Sequence, residues 1–115
     1  MAKNYLLIYS EQLATDIELL CQTIKAPSNT LFQIRKSSSS VYANIREAKY
    51  AHSKADFAAK LQIALKECYE TEYWLELMQK AELLPEETVK GYLHDCGAIR
   101  RMLIASINTV KENTK

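Results

Sequence analysis

Glycine and proline are scarce in this 115-residue chain, with two of each. So few turn formers exclude a many-stranded sandwich, and long uninterrupted elements must use most of the residues. Cysteine is also sparse: Cys21, Cys68 and Cys96 form an odd set with no CxxC spacing. Neither a disulfide framework nor a zinc site is indicated. No apolar run approaches the ~20 residues of a membrane span. The N-terminal segment has one lysine and a short apolar run, too little for a signal peptide. These absences set the expectation of a reduced, cytoplasmic protein without a membrane. Charge is nearly balanced, at +1 overall, so bulk electrostatics select no partner.

What is present is helical periodicity. The length suits a single domain spanning 1–115, large enough for a core without cross-links. From Tyr5 onward, Leu6, Tyr9, Leu13, Ile17, Leu20 and Ile24 recur at steps of three and four, one stripe of an amphipathic helix over about 4–25. Pro27 ends it, and Asn29 is positioned to cap the next helix. That helix is expected over about 30–50, with the stripe Leu31, Ile34, Ser38, Val41, Ile45 and Ala48. The run Ser37-Ser38-Ser39-Ser40 could read as a linker, because serine is a mediocre helix former. The stripe passes straight through it, so the run is read as helix. Small Ser37 and Ser38 would admit a close neighbour and bond back to carbonyls one turn earlier.

Ser53-Lys54-Ala55-Asp56 reads as a capping box opening a third helix over about 54–82. Its main stripe is Phe57, Leu61, Ala64, Leu65, Cys68, Glu72 and Leu75. A second apolar set, Ala59, Ile63, Trp74, Leu77 and Met78, lies roughly opposite. A helix apolar on two sides buries two sides, and a second subunit is the natural cover for the extra face. Pro85, Glu86 and Glu87 suit the start of a fourth helix over about 86–111. Its stripe is Val89, Leu93, Cys96, Arg100, Leu103, Ile107 and Val110. Gly91 and Gly97 would give it room for close packing. Short connections between long helices predict an all-α, up-down-up-down antiparallel four-helix bundle.

Charge is unevenly placed. Between residues 30 and 55, Arg35, Lys36, Arg46, Lys49 and Lys54 face Glu47 alone; from 67 to 87, seven glutamates face Lys80. Basic helix 2 is the stronger nucleic-acid feature, because its cations could neutralise phosphates. Two solvated helix faces would give the same pattern. Trp74, Tyr69 and Tyr73 could stack bases, although helical aromatics more commonly serve core or interface. Glu72 and Arg100 fall on core stripes at similar depth, which predicts a buried ion pair. Asn44 and Glu47, like Glu67 and Glu70, lie one turn apart beside the core stripes. Such carboxylates would suit a di-iron bundle only with a Glu-x-x-His motif on two helices. Lys49 precedes His52 by three and Gly91 precedes His94, so no metal or cofactor is expected. His94 and Cys96 point apart on a helix, and GxSxG, P-loop and GxGxxG signatures are missing; an enzyme is not expected.

The stretch from Phe32 to Ala48, FQIRKSSSSVYANIREA, is similar to a family pattern of the form QIRRSSxSIxANIAEG. Ser53-Lys54-Ala55-Asp56-Phe57, Lys60-Leu61-Gln62-Ile63-Ala64-Leu65-Lys66-Glu67 and Glu70-Thr71-Glu72-Tyr73-Trp74-Leu75 continue the match, and Arg101-Met102-Leu103 fits its end. The chain resembles the bacterial four-helix bundle proteins encoded by intervening sequences in 23S ribosomal RNA genes. It departs at Arg46 and Ala48, where the family often has Ala and Gly. The resemblance implies an up-down bundle assembled as a homopentamer, without enzymatic activity. It also implies kinship with the accessory proteins of diversity-generating retroelements, pentamers that bind nucleic acid and a reverse transcriptase. Family-motif positions correspond here to Arg35, Asn44, Glu47, Lys54, Glu67 and Glu70.

Two functions follow as expectations. The first is RNA or DNA binding with little sequence preference through Arg35, Lys36, Arg46, Lys49 and Lys54. The second is a protein–protein scaffold whose acidic stretch meets a protein partner. Dispensable cargo of a mobile insertion is a third.

Overall fold

The structure, a computed structural model, describes residues 4–113. Four α-helices follow one another: α1 (Tyr5–Cys21), α2 (Ser28–Ala48), α3 (Lys54–Lys80) and α4 (Glu86–Asn113). No strand occurs among the described residues. Contacts join α1 to α2, α2 to α3, α3 to α4 and α4 to α1, while the diagonal pairs do not meet. That cycle is an up-down-up-down bundle, elongated at 47 × 26 × 21 Å. The α2–α3 seam is the most extensive and the α1–α4 seam the least.

The helix ends follow local chemistry. Asn4 Oδ1 accepts the Leu7 N–H at 3.0 Å and caps α1. In α3 the Ser53 hydroxyl oxygen accepts the Asp56 N–H at 3.0 Å. The Asp56 carboxylate in turn accepts the His52 N–H at 3.3 Å. Two boundaries differ from expectation. α1 stops at Cys21, four residues early, where Thr23 bonds back to Leu20 through both its N–H and its hydroxyl. α2 starts at Ser28 with Pro27 at the cap and no side-chain cap bond, so Asn29 lies inside the helix and does not cap it. Proline's fixed φ, −55° here, delivers the chain into the first turn without that bond.

The core gathers one stripe from each helix: Leu13 and Ile17, Ile34 and Val41, Leu61 and Leu75, Ile99 and Leu103, all essentially inaccessible. The serine run is helical throughout. Ser37 and Ser38 are buried, and both hydroxyls donate to the Ile34 carbonyl, at 3.2 and 2.8 Å. These bonds satisfy polar groups that would otherwise be costly inside. The second apolar set on α3 divides. Met78 joins the core, Trp74 packs against its edge, and Ala59, Ile63 and Leu77 face outward beside Tyr73. On α1, Tyr9 lies largely in solvent, and Ser10 and Cys21 are buried instead.

The glycines do not serve close helix approach. A Cβ at Gly91 would meet nothing within 4 Å, and one at Gly97 would touch only the ends of Arg100 and Arg101 on its own helix. All three cysteines are buried and free. Cys68 donates its thiol to the Cys96 carbonyl at 3.4 Å. The contact with Cys68 and then burial push the Cys96 thiol up, the direction of an inert core residue. Among the described residues no helix is long and apolar enough to cross a membrane.

Candidate nucleic-acid interface

The basic residues of α2 occupy different surroundings. Arg35 faces α1, where its Nε and Nη2 donate to the two Glu18 carboxylate oxygens, each at 3.0 Å. Hydrogen bonds from Gln22 and then from Arg35 hold the Glu18 carboxyl below its usual range. The forked geometry uses the Arg35 charge to tie α1 to α2. Tyr42, two turns along, adds a second tie by donating its hydroxyl to Glu11 at 3.0 Å.

Lys36, Arg46, Lys49 and Lys54 are exposed. Among the described residues, none of these four has a carboxylate within salt-bridge distance. Arg46 and Lys49 end α2 and Lys54 begins α3, so the turn between them concentrates three cations at one corner of the bundle. Lys36 stands about 15 Å further along the α2 axis, given 1.5 Å per residue. Of the nearest acids in sequence, Glu47 pairs with Lys60 at 3.6 Å, and Asp56 accepts the His52 N–H. A shallow cleft of about 310 Å³ lies here, lined by Ala48, Lys49, Ala51, His52, Ser53, Lys54 and Phe57. Tyr50 stands in the turn, 69% exposed, with the Lys49 ammonium 6.0 Å from its ring centre.

The other family-motif polar residues do not join this corner. Asn44 is half-buried and donates to the Ser40 carbonyl at 2.9 Å, a local bond along α2. Glu67, half-buried, has Glu70 one turn away and Lys36 within electrostatic reach. Burial first and the Glu70 charge second push the Glu67 carboxyl up, against the pull of Lys66 and Lys36. Glu72 and Arg100 lie between α3 and α4, with Arg100 Nε donating to Glu72 Oε1 at 3.0 Å. The Arg100 guanidinium also lies 5.6 Å over the Tyr69 ring. Tyr73 and Trp74 meet edge to face at 5.0 Å, so their rings contact each other.

Among the described residues no group of three or more His, Cys, Asp or Glu is placed to hold a metal ion. A cleft of about 430 Å³ between α1 and α4 is lined by Tyr9, Gln12, Leu13, His94, Asp95 and Ala98, and none of the basic residues contributes to it. Sequence reasoning passed over Tyr50, because a lone tyrosine at a helix end carries no periodic signal. It also passed over Glu18 as the partner of Arg35, because that pairing depends on how α1 and α2 align.

The fold recurs in a protein of unknown function from the S23 ribosomal protein family of Bacteroides thetaiotaomicron VPI-5482, whose crystal structure superposes with a TM-score of 0.85. The two chains are 40% identical over 89% of this chain and 97% of that one. No curated protein matches the sequence. The model of the 23S rRNA-intervening sequence proteins matches residues 7–105. With nearly the whole bundle inside that match, the chain belongs to the 23S rRNA-intervening sequence protein family.

Proposed function

We propose that this protein is a non-enzymatic, self-assembling helical bundle that binds nucleic acid through phosphate contacts at the α2–α3 corner. The observation that carries the reading is the set of exposed cations, Lys36, Arg46, Lys49 and Lys54, with no carboxylate partner among the described residues. Exposed cations outside salt bridges displace the counterions condensed on nucleic-acid phosphates, and that release supplies sequence-independent affinity. Arg35 contributes less, because Glu18 already holds it. Arg46 is a feature of this chain, standing where the family pattern often has Ala. All four helices lie within the bundle, and among the described residues no element projects to read a groove, so sequence preference is small.

Self-assembly has its own support. Ile63, Tyr73 and Leu77 on α3 and Phe32 on α2 are exposed at 39–58%. A homopentamer is the stoichiometry that goes with the family resemblance, and five copies of a weak phosphate site would gain affinity through avidity. Mass measurement in solution tests this, and a single-chain mass at micromolar concentration overturns it. The alternative, a scaffold without nucleic acid, is favoured by exposed Glu76, Glu82, Glu86 and Glu87, which would face a basic protein partner.

The deciding experiment is fluorescence anisotropy with an RNA that contains paired and unpaired stretches. Four phosphate contacts by one chain give a plot of log affinity against log salt with a slope of about −3, and engagement of several copies makes it steeper. Changing Lys36, Arg46, Lys49 and Lys54 to Gln abolishes binding and leaves the assembly mass unchanged. Failure of the wild type to bind at low salt overturns the nucleic-acid reading.

A further inference from the structure

We infer that the α2–α3 corner takes single-stranded nucleic acid, with Tyr50 as a stacking platform for one unpaired base and Arg46, Lys49 and Lys54 on the flanking phosphates. The inference rests on the phosphate-binding reading above and names the form of nucleic acid that the corner fits. Tyr50 is the most exposed large apolar side chain among the described residues, at 69%. It lies in the turn beyond α2, and its backbone N–H donates to the Glu47 carbonyl at 2.9 Å. A tyrosine this exposed contributes little packing to its own bundle. Lys49 lies at the edge of cation–π range of that ring, at 6.0 Å, so positive charge and a π-face are presented together.

The surroundings favour a strand over a duplex. Aromatic rings stack on bases whose faces are free, and a duplex hides those faces between neighbouring pairs. The shallow cleft at the turn is lined by half-buried Phe57 together with Lys49, His52 and Lys54, and Tyr50 stands outside it. An apolar ring and two lysines in one cleft suit a sugar with its neighbouring phosphates, next to a base on Tyr50. Of the two acids nearest the corner, Glu47 is paired with Lys60, and the Asp56 carboxylate is turned back onto the His52 backbone N–H.

The test uses labelled RNA and DNA single strands of about 12 nucleotides, within the usual range of single-strand sites, and the matching duplexes. Anisotropy is measured on wild type, Tyr50→Ala, Tyr50→Phe and a triple Gln variant at Arg46, Lys49 and Lys54. Melting curves confirm that the exposed turn position leaves folding unchanged. Wild type binds strand over duplex, Tyr50→Ala weakens strand binding by about five- to a hundredfold, and Tyr50→Phe retains it. The RNA and DNA arms show which sugar is accepted. Equal affinity for strand and duplex overturns the stacking inference, as does a Tyr50→Ala protein that binds strand like wild type while the triple variant loses binding. The phosphate reading survives both results. Silence of wild type on every probe overturns the two together.

Discussion

The Thr71 hydroxyl of α3 lies 2.9 Å from the Ser37 hydroxyl of α2, with both residues sealed in the core. Thr71 donates to Ser37, and Ser37 donates onward to the Ile34 carbonyl at 3.2 Å; Thr71 Oγ1 also sits 2.9 Å from the Glu67 carbonyl. Small hydroxyl residues thus let α2 and α3 approach along their extensive seam, with each polar atom supplied with a partner. Thr71→Val keeps the shape and removes the donor, and it should cost about 1 kcal/mol in denaturant unfolding. Ser37→Leu should cost more, about 1–3 kcal/mol, because a large side chain must push the helices apart. A Leu variant as stable as wild type would show that the seam is loosely packed.

Glu72 and Arg100 form a second link, from α3 to α4, with side chains 15% and 30% exposed. The bond is charge-assisted and largely withdrawn from water, and its coupling is expected at about 1–2 kcal/mol. Replacing one partner leaves a charge half-buried and unpaired. Glu72→Leu and Arg100→Leu should therefore each destabilise more than half as much as the double variant, and the double should be more stable than the sum of the singles. Strict additivity in urea melts would mean that the two charges are solvated independently. The readout is equilibrium stability; the nucleic-acid corner lies at the start of α3, about 27 Å along that helix from Glu72, and should be unaffected.

These two links mark the range of what the sequence displays. The helices were legible because apolar residues recur every three or four positions and each break carries Pro, Ser or Asp. Glu72 and Arg100 stood out because a charge on a core stripe needs a partner. Thr71 did not, because threonine interrupts no pattern and its value depends on Ser37 lying opposite. Tyr9 and Ser10 exchanged roles for a related reason: the stripe on α1 is wide, and the loose α1–α4 seam leaves Tyr9 in solvent while Ser10, bonded to the Leu7 carbonyl at 3.1 Å, turns inward. The basic run on α2 was visible as composition. That Glu18 claims Arg35 while Arg46, Lys49 and Lys54 share a corner is a consequence of the tertiary arrangement.

The end of α3 carries backbone strain. Glu82 has φ of 60°, the left-handed region that disfavours residues with a Cβ. The Leu83 N–H bonds to the Met78 carbonyl at 2.8 Å and the Glu82 N–H to the Gln79 carbonyl at 3.0 Å, the paired bonds of a Schellman motif. Glycine is the usual residue at that position. Glu82→Gly should stabilise the protein by about 0.5–1 kcal/mol, offset in part by the greater freedom of glycine in the unfolded chain. Glu82→Ala removes the same carboxylate and keeps the Cβ, so it should show no such gain. Equal melting temperatures for Gly and Ala variants would assign any change to charge and not to backbone.

Glu67 makes stability depend on pH with a sign opposite to that of an ordinary paired carboxylate. Burial, then Glu70, raises its carboxyl pKa above the unbound value of 4.5. The folded protein therefore holds this proton more tightly than the unfolded chain does. The resulting stabilisation is complete below pH 4.5 and is lost as pH rises through the higher folded value. Above that window the folded state carries a charge in poorly hydrated surroundings beside Glu70. Glu67→Gln removes the titration and keeps the size of the side chain. Its melting temperature should exceed that of wild type at neutral pH, and the difference should shrink as pH falls through the window. Glu70→Gln, which removes the repelling neighbour, should narrow the window from its upper side. A wild-type advantage over Glu67→Gln at neutral pH would show that attraction to Lys36 and Lys66 outweighs burial, and would place the Glu67 carboxyl below its ordinary range.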